Sequence, residues 1–382
     1  MDDLDGPWGS LTLARHPERA DDPLRAFDAA DEMVLAHLAE ADVDLTGTIV
    51  ILNDTWGALA TALAAHRPVV VTDSHLARRG VAANLERNSI DTEAVEMRGP
   101  LDPLPNRIDV LLVRPPKPAD LLEHLLRQAH PGLHAGTTVV GAAMTRHVHR
   151  SGLDLFEGLV GPTRTSRAVR KARLIHPTVD PDLDPAPSPW PHTTGMGPQG
   201  EEVVEHAGVF SAGRLDAGTR LLLAHLPEPG DHGDIVDLGC GNGIVGLVLA
   251  GRDPAAHLTF LDESALAVAS AQATFRHAFG SERDARFSVG DGLFDLATGP
   301  PIEPGAVDLV VVNPPFHRDH SVGDATAWQM FTEADLALRP GGRLLVVGNR
   351  HLAYHAKLKR IFGNSTVVAS DPGFVVLSAT HR

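Results

Sequence analysis

Two short segments hold the residues with the clearest chemical purpose. The first, Asn313-Pro314-Pro315-Phe316, follows directly on a hydrophobic run led by Asp308. Its two prolines fix the backbone and donate no hydrogen bonds, so nearby carbonyls stay free as acceptors. The side-chain oxygen of Asn313 and the carbonyl of Pro314 can together hold both hydrogens of a planar NH2 group. Such an amine is a poor nucleophile because its lone pair is delocalised. Holding its hydrogens favours the pyramidal nitrogen of attack, which stabilises a transition state rather than a bound substrate. Phe316 offers a face on which a flipped base can stack, worth about 1–3 kcal/mol. His317 is not needed as a base, because the ammonium formed by such an attack is acidic enough to lose its proton to water.

The second segment, Asp237-Leu238-Gly239-Cys240-Gly241-Asn242-Gly243, follows a strand pattern and opens a helix. Its glycines let the backbone approach a ligand near a helix N-terminus. They alternate rather than forming the G-x-G-x-x-G that cradles a pyrophosphate, and the leading Asp237 suits a cationic, phosphate-free ligand. Asp262, at the end of the next strand pattern, stands where an acid would accept both hydroxyls of a ribose. Asp291, at a third strand end, is placed to hold an adenine amino group. Taken singly, each acid also suits a helix N-cap or a turn, Asp291 most of all. Cys240 reads as a small packing residue between glycines, with no histidine near it in sequence to make it a nucleophile.

These segments must be held by a sheet. Strand patterns at 234–238, 257–261 and 307–312 alternate with helix patterns from 244 and over 265–279, which predicts a parallel sheet. A further helix is expected over 326–338, with Trp328 and Phe331 facing the core. The same order stands earlier in the chain, with strands at 48–52, 68–72 and 109–113 and helices at 57–66 and 119–129. A stretch with seven prolines, from Pro177 to Pro198, lacks either periodicity and reads as a linker. The expected organisation is a duplicated α/β domain: 1–176, a linker 177–200, and 201–382. Aligning the two first strands sets Ile51 opposite Asp237, Asn53 opposite Gly239, Thr55 opposite Gly241 and Gly57 opposite Gly243. Arg114-Pro115-Pro116-Lys117 stands where the second copy has Asn313-Pro314-Pro315-Phe316. The first copy has thus lost glycines and acid, and the charge of Arg114 and Lys117 suggests RNA contact instead.

Composition narrows the class. The chain has 382 residues, one cysteine and a net charge of −16. A disulfide-stapled miniprotein is excluded, no apolar run is long enough to span a bilayer, and a cytoplasmic protein without a signal peptide is expected. The acidity is segregated, with twelve acids against three arginines in residues 1–50. Two basic clusters are the credible polyanion footprints: Arg164, Arg167, Arg170, Lys171 and Arg173, and a second including Arg350, Lys357, Lys359 and Arg360. Despite 21 histidines, no Cys or carboxylate spacing completes a metal site, and none is expected.

The two motifs resemble those of class I S-adenosylmethionine-dependent methyltransferases that modify planar amines. More narrowly, the chain looks like the bacterial ribosomal RNA guanine-N2 methyltransferases, which pair a degenerate methyltransferase-like N-terminal domain with an active C-terminal one. Further carriers are Gly208-Val209-Phe210-Ser211 with Leu215-Asp216-Ala217-Gly218, and Asp262-Glu263-Ser264-Ala265-Leu266-Ala267-Val268. The tail segments Asn349 to Tyr354 and Lys357 to Asn364 are similar to the large-subunit (23S) type, as are Leu52 to Leu59 and Lys171 to Ile175. The resemblance implies two tandem Rossmann-like methyltransferase domains. It also implies S-adenosylmethionine held by Asp237, Gly239, Cys240, Gly241, Asp262, Asp291 and Asn313, and rRNA as partner. Catalysis would rest on Asn313 to Phe316. Open alternatives are a small-subunit (16S) guanine-N2 enzyme, an adenine-N6 or glutamine-N5 methyltransferase, and a non-catalytic RNA-binding protein with a vestigial site.

Overall fold

The computed structural model describes residues 1–18, 24–210, 213–228, 230, 233–315 and 320–382. The chain divides into two units, Met1–Pro189 and Trp190–Arg382. The division falls inside the expected linker, whose second half is not irregular. His192–Gly195 pairs antiparallel with Glu202–Glu205, and the latter strand docks on the helix Ala265–Phe279 through Val204 N–H to Thr274 Oγ1 at 2.9 Å. Four-residue strands separated by glycines are too short to show a period of two, which is why the sequence pattern misses them.

In the second unit the uninterrupted apolar run Val307–Val312 is buried along its whole length, as a parallel strand covered on both faces must be. Asp234–Leu238 lies between it and His257–Asp262, and Arg286–Asp291 follows outward, all parallel. Beyond Val307–Val312 come the parallel Leu338–Asn349 and then the antiparallel Phe374–Thr380 and Thr366–Ser370. Strand order therefore reverses at Asp234–Leu238, and in such sheets ligands bind at the carboxyl ends beside the reversal. The helix expected over 326–338 is longer at its start, running His320–Ala337, and the next strand begins at Leu338.

The first unit repeats this order. Ile49–Leu52 lies between Val69–Val71 and Val110–Val113, with Glu96–Arg98 on one flank and Thr138–Met144, Ala172–Pro177 and Thr163–Thr165 on the other. The expected helix over 57–66 is split into Ala58–Ala62 and a short turn Ala64–His66. The repetition extends to single interactions. Asp109 Oδ2 accepts from Thr48 N–H at 2.9 Å, and Asp308 Oδ2 accepts from Asp234 N–H at 2.8 Å. In each unit, an acid at the head of one strand fastens the start of its neighbour. Among the described residues no helix is long and apolar enough to cross a membrane.

Candidate active site

Asp237, Asp262 and Asp291 end three neighbouring strands, and Asn313 follows the strand on the other side of Asp237. Between the first strand and its helix, Gly239, Gly241 and Gly243 all take positive φ, at 73°, 53° and 81°. Gly243 is required by contact as well, since a Cβ there would lie 2.8 Å from the Ala271 backbone. A Cβ on Gly241 would meet nothing within 4 Å, so the loop faces open space there. Gly239 N–H and Cys240 N–H both donate to the Leu261 carbonyl, at 2.7 and 3.0 Å, which ties the loop to the adjacent strand.

The three acids have different surroundings. Asp237 is 3% exposed, and its Oδ2 accepts from Gly246 N–H at 2.9 Å in the first turn of the following helix. Burial, helped by the nearby Asp262 charge, raises its pKa to about 7. Asp262 accepts from Gly241 N–H at 2.9 Å and from Ser264 N–H at 3.0 Å, with the Glu263 backbone N–H also donating to it. A carboxylate offers about four lone-pair sites, so it keeps capacity to accept from a ligand hydroxyl. Its pKa is also raised by burial. Asp291 is half-buried and accepts from Gln329 Nε2 at 3.4 Å. The same amide donates to Glu333 Oε1 at 3.0 Å, and Glu333 Oε2 accepts from Leu293 N–H at 2.6 Å. Cys240 is 6% exposed, and burial holds its thiol well above the ordinary range, so it packs rather than reacts.

Asn313 has the most telling geometry. Its Nδ2 donates to Thr219 Oγ1 at 2.9 Å, while its Oδ1 is buried without a hydrogen-bond partner among the described residues. A buried, unpaired amide oxygen is costly and signals a missing donor. Thr219 is 8% exposed on the helix Ala217–Leu223, whose N-cap Asp216 accepts from Gly218 and Thr219 N–H. Sequence reading passed over Thr219, although it directly follows the quoted Leu215-Asp216-Ala217-Gly218. Pro314 is buried and Pro315 exposed; Phe316 and His317 lie outside the described residues, as does Ser211. Sequence reading also missed Glu205. It is fully buried and accepts from Asn242 Nδ2 at 3.0 Å and Gly213 N–H at 2.8 Å, which ties the glycine loop to the segment before Thr219.

The first unit keeps the scaffold of this site without its chemistry. Asn53 takes φ of 65°, doing with an asparagine what Gly239 does with a glycine, and Gly57 repeats Gly243 at φ of 82°. The acid is shifted in the chain rather than lost: Asp54 Oδ2 accepts from Ala60 N–H at 2.8 Å, as Asp237 does from Gly246. Thr72 replaces Asp262, its hydroxyl accepting from Ser74 N–H. Arg114, expected to face RNA, instead turns inward. Its guanidinium reaches Asp28, Asp31 and the Ala142 carbonyl at 3.1 Å or less, so two of the N-terminal acids serve as its counter-charges.

Of the basic clusters, Arg164, Arg167, Arg170 and Lys171 are exposed on the hairpin of Thr163–Thr165 and Ala172–Pro177, with Arg173 half-buried and Arg170 paired to Glu32 at 2.9 Å. Arg350, Lys359 and Arg360 are exposed on and just before the helix Tyr354–Phe362, and Lys357 is half-buried over Tyr354. Arg360 lies 5.2 Å over the ring of Trp328, which is therefore half-buried beneath a cation rather than a core residue; Phe331 is fully buried. Among the described residues no group of His, Cys, Asp and Glu is placed to hold a metal ion.

Residues 1–181 match the RLMG N-terminal domain and residues 200–378 the Methyltransferase small domain. The chain is 54% identical over 381 residues to the ribosomal RNA large subunit methyltransferase G of Streptomyces coelicolor, covering 98% of this chain and 99% of that protein. It belongs to the ribosomal RNA large subunit methyltransferase G family. Membership extends beyond one genus: the Stutzerimonas stutzeri protein of the same name is 46% identical over 376 residues, covering 98% of each chain. Among solved structures, the T. thermophilus 16S rRNA N2 G1207 methyltransferase, in complex with AdoMet and guanosine, superposes with a TM-score of 0.73 at 22% identity. That match covers 100% of this chain and 98% of the other, so the tandem α/β architecture is shared by both.

Proposed function

We propose that this family member transfers a methyl group from S-adenosylmethionine to the exocyclic N2 of a guanosine in large-subunit ribosomal RNA. The observation that carries the reading is the buried, unpaired Oδ1 of Asn313, held by Thr219 beside a glycine loop open to a ligand. The relatives named as large-subunit rRNA methyltransferases support the RNA class. Asp262 would hold the ribose hydroxyls, Gly239 to Gly241 the methionine and sugar end, and Asp291 the adenine, with Asp237 supplying negative charge beneath the loop. When bound, S-adenosylmethionine supplies an electrophilic methyl group on a cationic sulfur.

Asn313 Oδ1 and the Pro314 carbonyl would accept the two amine hydrogens and aim the nitrogen lone pair at that methyl carbon. The N–C bond forms as the C–S bond breaks, the sulfur leaves with the bonding pair, and the nitrogen gives its proton to water. Phe316 would stack on the guanine. Arg164 to Arg173 and Arg350 to Arg360 would grip phosphates, giving a binding strength that falls with salt.

The test is labelled methyl transfer to unmodified large-subunit rRNA, small-subunit rRNA, assembled subunits, DNA and bulk protein, followed by nucleoside analysis. Label recovered as N2-methylguanosine from large-subunit RNA alone is the expected result. N6-methyladenosine, methylglutamine or label in small-subunit RNA would overturn it.

A further inference from the structure

Glu205 takes no part in the methyl transfer itself, yet it is the most deeply buried acid among the described residues, with 0% of its surface exposed. It ends the strand Glu202–Glu205, and groups from three separate segments converge on it. Asn242 Nδ2 donates to its Oε1 at 3.0 Å, Gly213 N–H donates to its Oε2 at 2.8 Å, and His192 Nε2 lies 3.4 Å from Oε2. The Asn242 amide cannot turn round, because its Oδ1 accepts from Ile244 N–H at 3.2 Å. Its Nδ2 therefore faces Glu205, with Met196 Sδ as a weaker acceptor at 3.4 Å. A carboxylate accepts on both oxygens, whereas a neutral amide in its place has one oxygen for two donors. Packing alone would be served better by an apolar side chain than by a buried acid. The acid meets two donors that an apolar residue would leave unpaired.

The two halves of the glycine loop are held differently. Gly239 and Cys240 are tied by their own N–H groups to the Leu261 carbonyl. Gly241 faces open space, and its N–H donates to Asp262 Oδ2 at 2.9 Å. Asn242 comes next, so the side-chain anchor on Glu205 also steadies the peptide that joins it to Gly241. We propose that Glu205 is a positioning residue for S-adenosylmethionine: through Asn242 it holds the Gly241 turn, and with it Asp262, in the geometry that receives the cofactor. The inference rests on the assignment of the glycine loop to S-adenosylmethionine and adds to it the buried side chain that sets the loop's shape. Glu205 touches no ligand. It acts by making one conformation of the open half of the loop the only one in which its donors are satisfied.

The test exchanges donor and acceptor across the pair. Glu205→Gln alone gives the amide one oxygen for two donors, and Asn242→Asp alone sets two carboxylates against each other. Combined, the new amide can donate to the new carboxylate and keep its oxygen on Gly213 N–H, while the carboxylate's other oxygen still accepts from Ile244 N–H. S-adenosylmethionine binding to the full chain is measured by titration calorimetry without RNA, beside the melting temperature. Each single variant is expected to bind about tenfold more weakly, and the double variant to return to within about threefold of wild type. Single variants that bind as tightly as wild type, even with a lowered melting temperature, would reduce Glu205 to a structural role and overturn the inference. A double variant as weak as the two losses combined would also overturn it. Should a single variant fail to fold, the folded double decides by the same criterion. Asp262→Ala tests the underlying assignment: if it binds as tightly as wild type, the loop is not the cofactor's seat and both readings fall. If it loses affinity while both single variants keep theirs, only the role of Glu205 falls.

Discussion

Asn313 commits its amide nitrogen to Thr219 and leaves its buried oxygen for a ligand. Asn313→Ala is therefore expected to lower kcat about 100- to 1,000-fold while S-adenosylmethionine still binds, as measured by single-turnover methylation and calorimetry. Thr219 acts through Asn313, so Thr219→Val should lower kcat about tenfold with little change in KM, and Thr219→Ser should restore it. A purely structural role for Thr219 would instead show as a lower melting temperature in Thr219→Val with kcat unchanged. Asp237 supplies a pH signature. Its folded-state pKa of about 7 lies above the ordinary carboxylate value, so the folded chain holds this proton more tightly than the unfolded one. The contribution to stability is complete in acid and is lost as pH rises from about 4 to about 7. A cationic ligand favours the ionised form, so S-adenosylmethionine affinity should weaken by up to about tenfold per unit as pH falls below 7. Titration calorimetry across that window should find the dependence flattened in Asp237→Asn. Asn313 and the acids were legible by type and by position after strands. Thr219 was not, because its contact spans 94 residues and only the folded sheet brings it close.

At the scale of elements, the same strand-loop-helix turn is built twice with different residues. Asp237 and Asp54 both accept from an N–H early in the following helix, although they stand at non-equivalent positions of the aligned loops. Backbone geometry therefore outlasted side-chain identity, and the apparent loss of the loop in the first copy concerns its ligand chemistry alone. Gly243 is the most demanding point, with φ of 81° and no room for a Cβ against Ala271. Gly243→Ala should cost about 1–3 kcal/mol and lower the denaturation midpoint. An unchanged midpoint in urea would show that the loop yields. The buried strands were readable because parallel strands covered on both faces are apolar without interruption, as in Val307–Val312. The hairpin of His192–Gly195 with Glu202–Glu205 was not, because strands of four residues are too short to show a period of two.

Across the whole molecule, a net charge of −16 coexists with two exposed basic surfaces. Part of the N-terminal acidity is consumed locally, with Asp28 and Asp31 on Arg114 and Glu32 on Arg170. Replacing Arg164, Arg167 and Lys171 together by Gln should reduce the salt slope of RNA binding by about 2, read by filter binding against salt. An unchanged slope would remove the hairpin from the RNA footprint. The exposed Pro-rich stretch before Trp190 should be the first site cut by a broad-specificity protease, leaving fragments close to the two units. The sequence by itself determined the alternation of strands and helices, the duplication, the glycine loop and the tetrapeptide, because each is written in local spacing and residue type. Tertiary structure decided which acids stay buried beneath the loop, that Arg114 turns inward, and that Thr219 orients Asn313. Those outcomes depend on which distant groups compete for each charge or hydrogen bond, and burial settles that competition only once the sheets have formed.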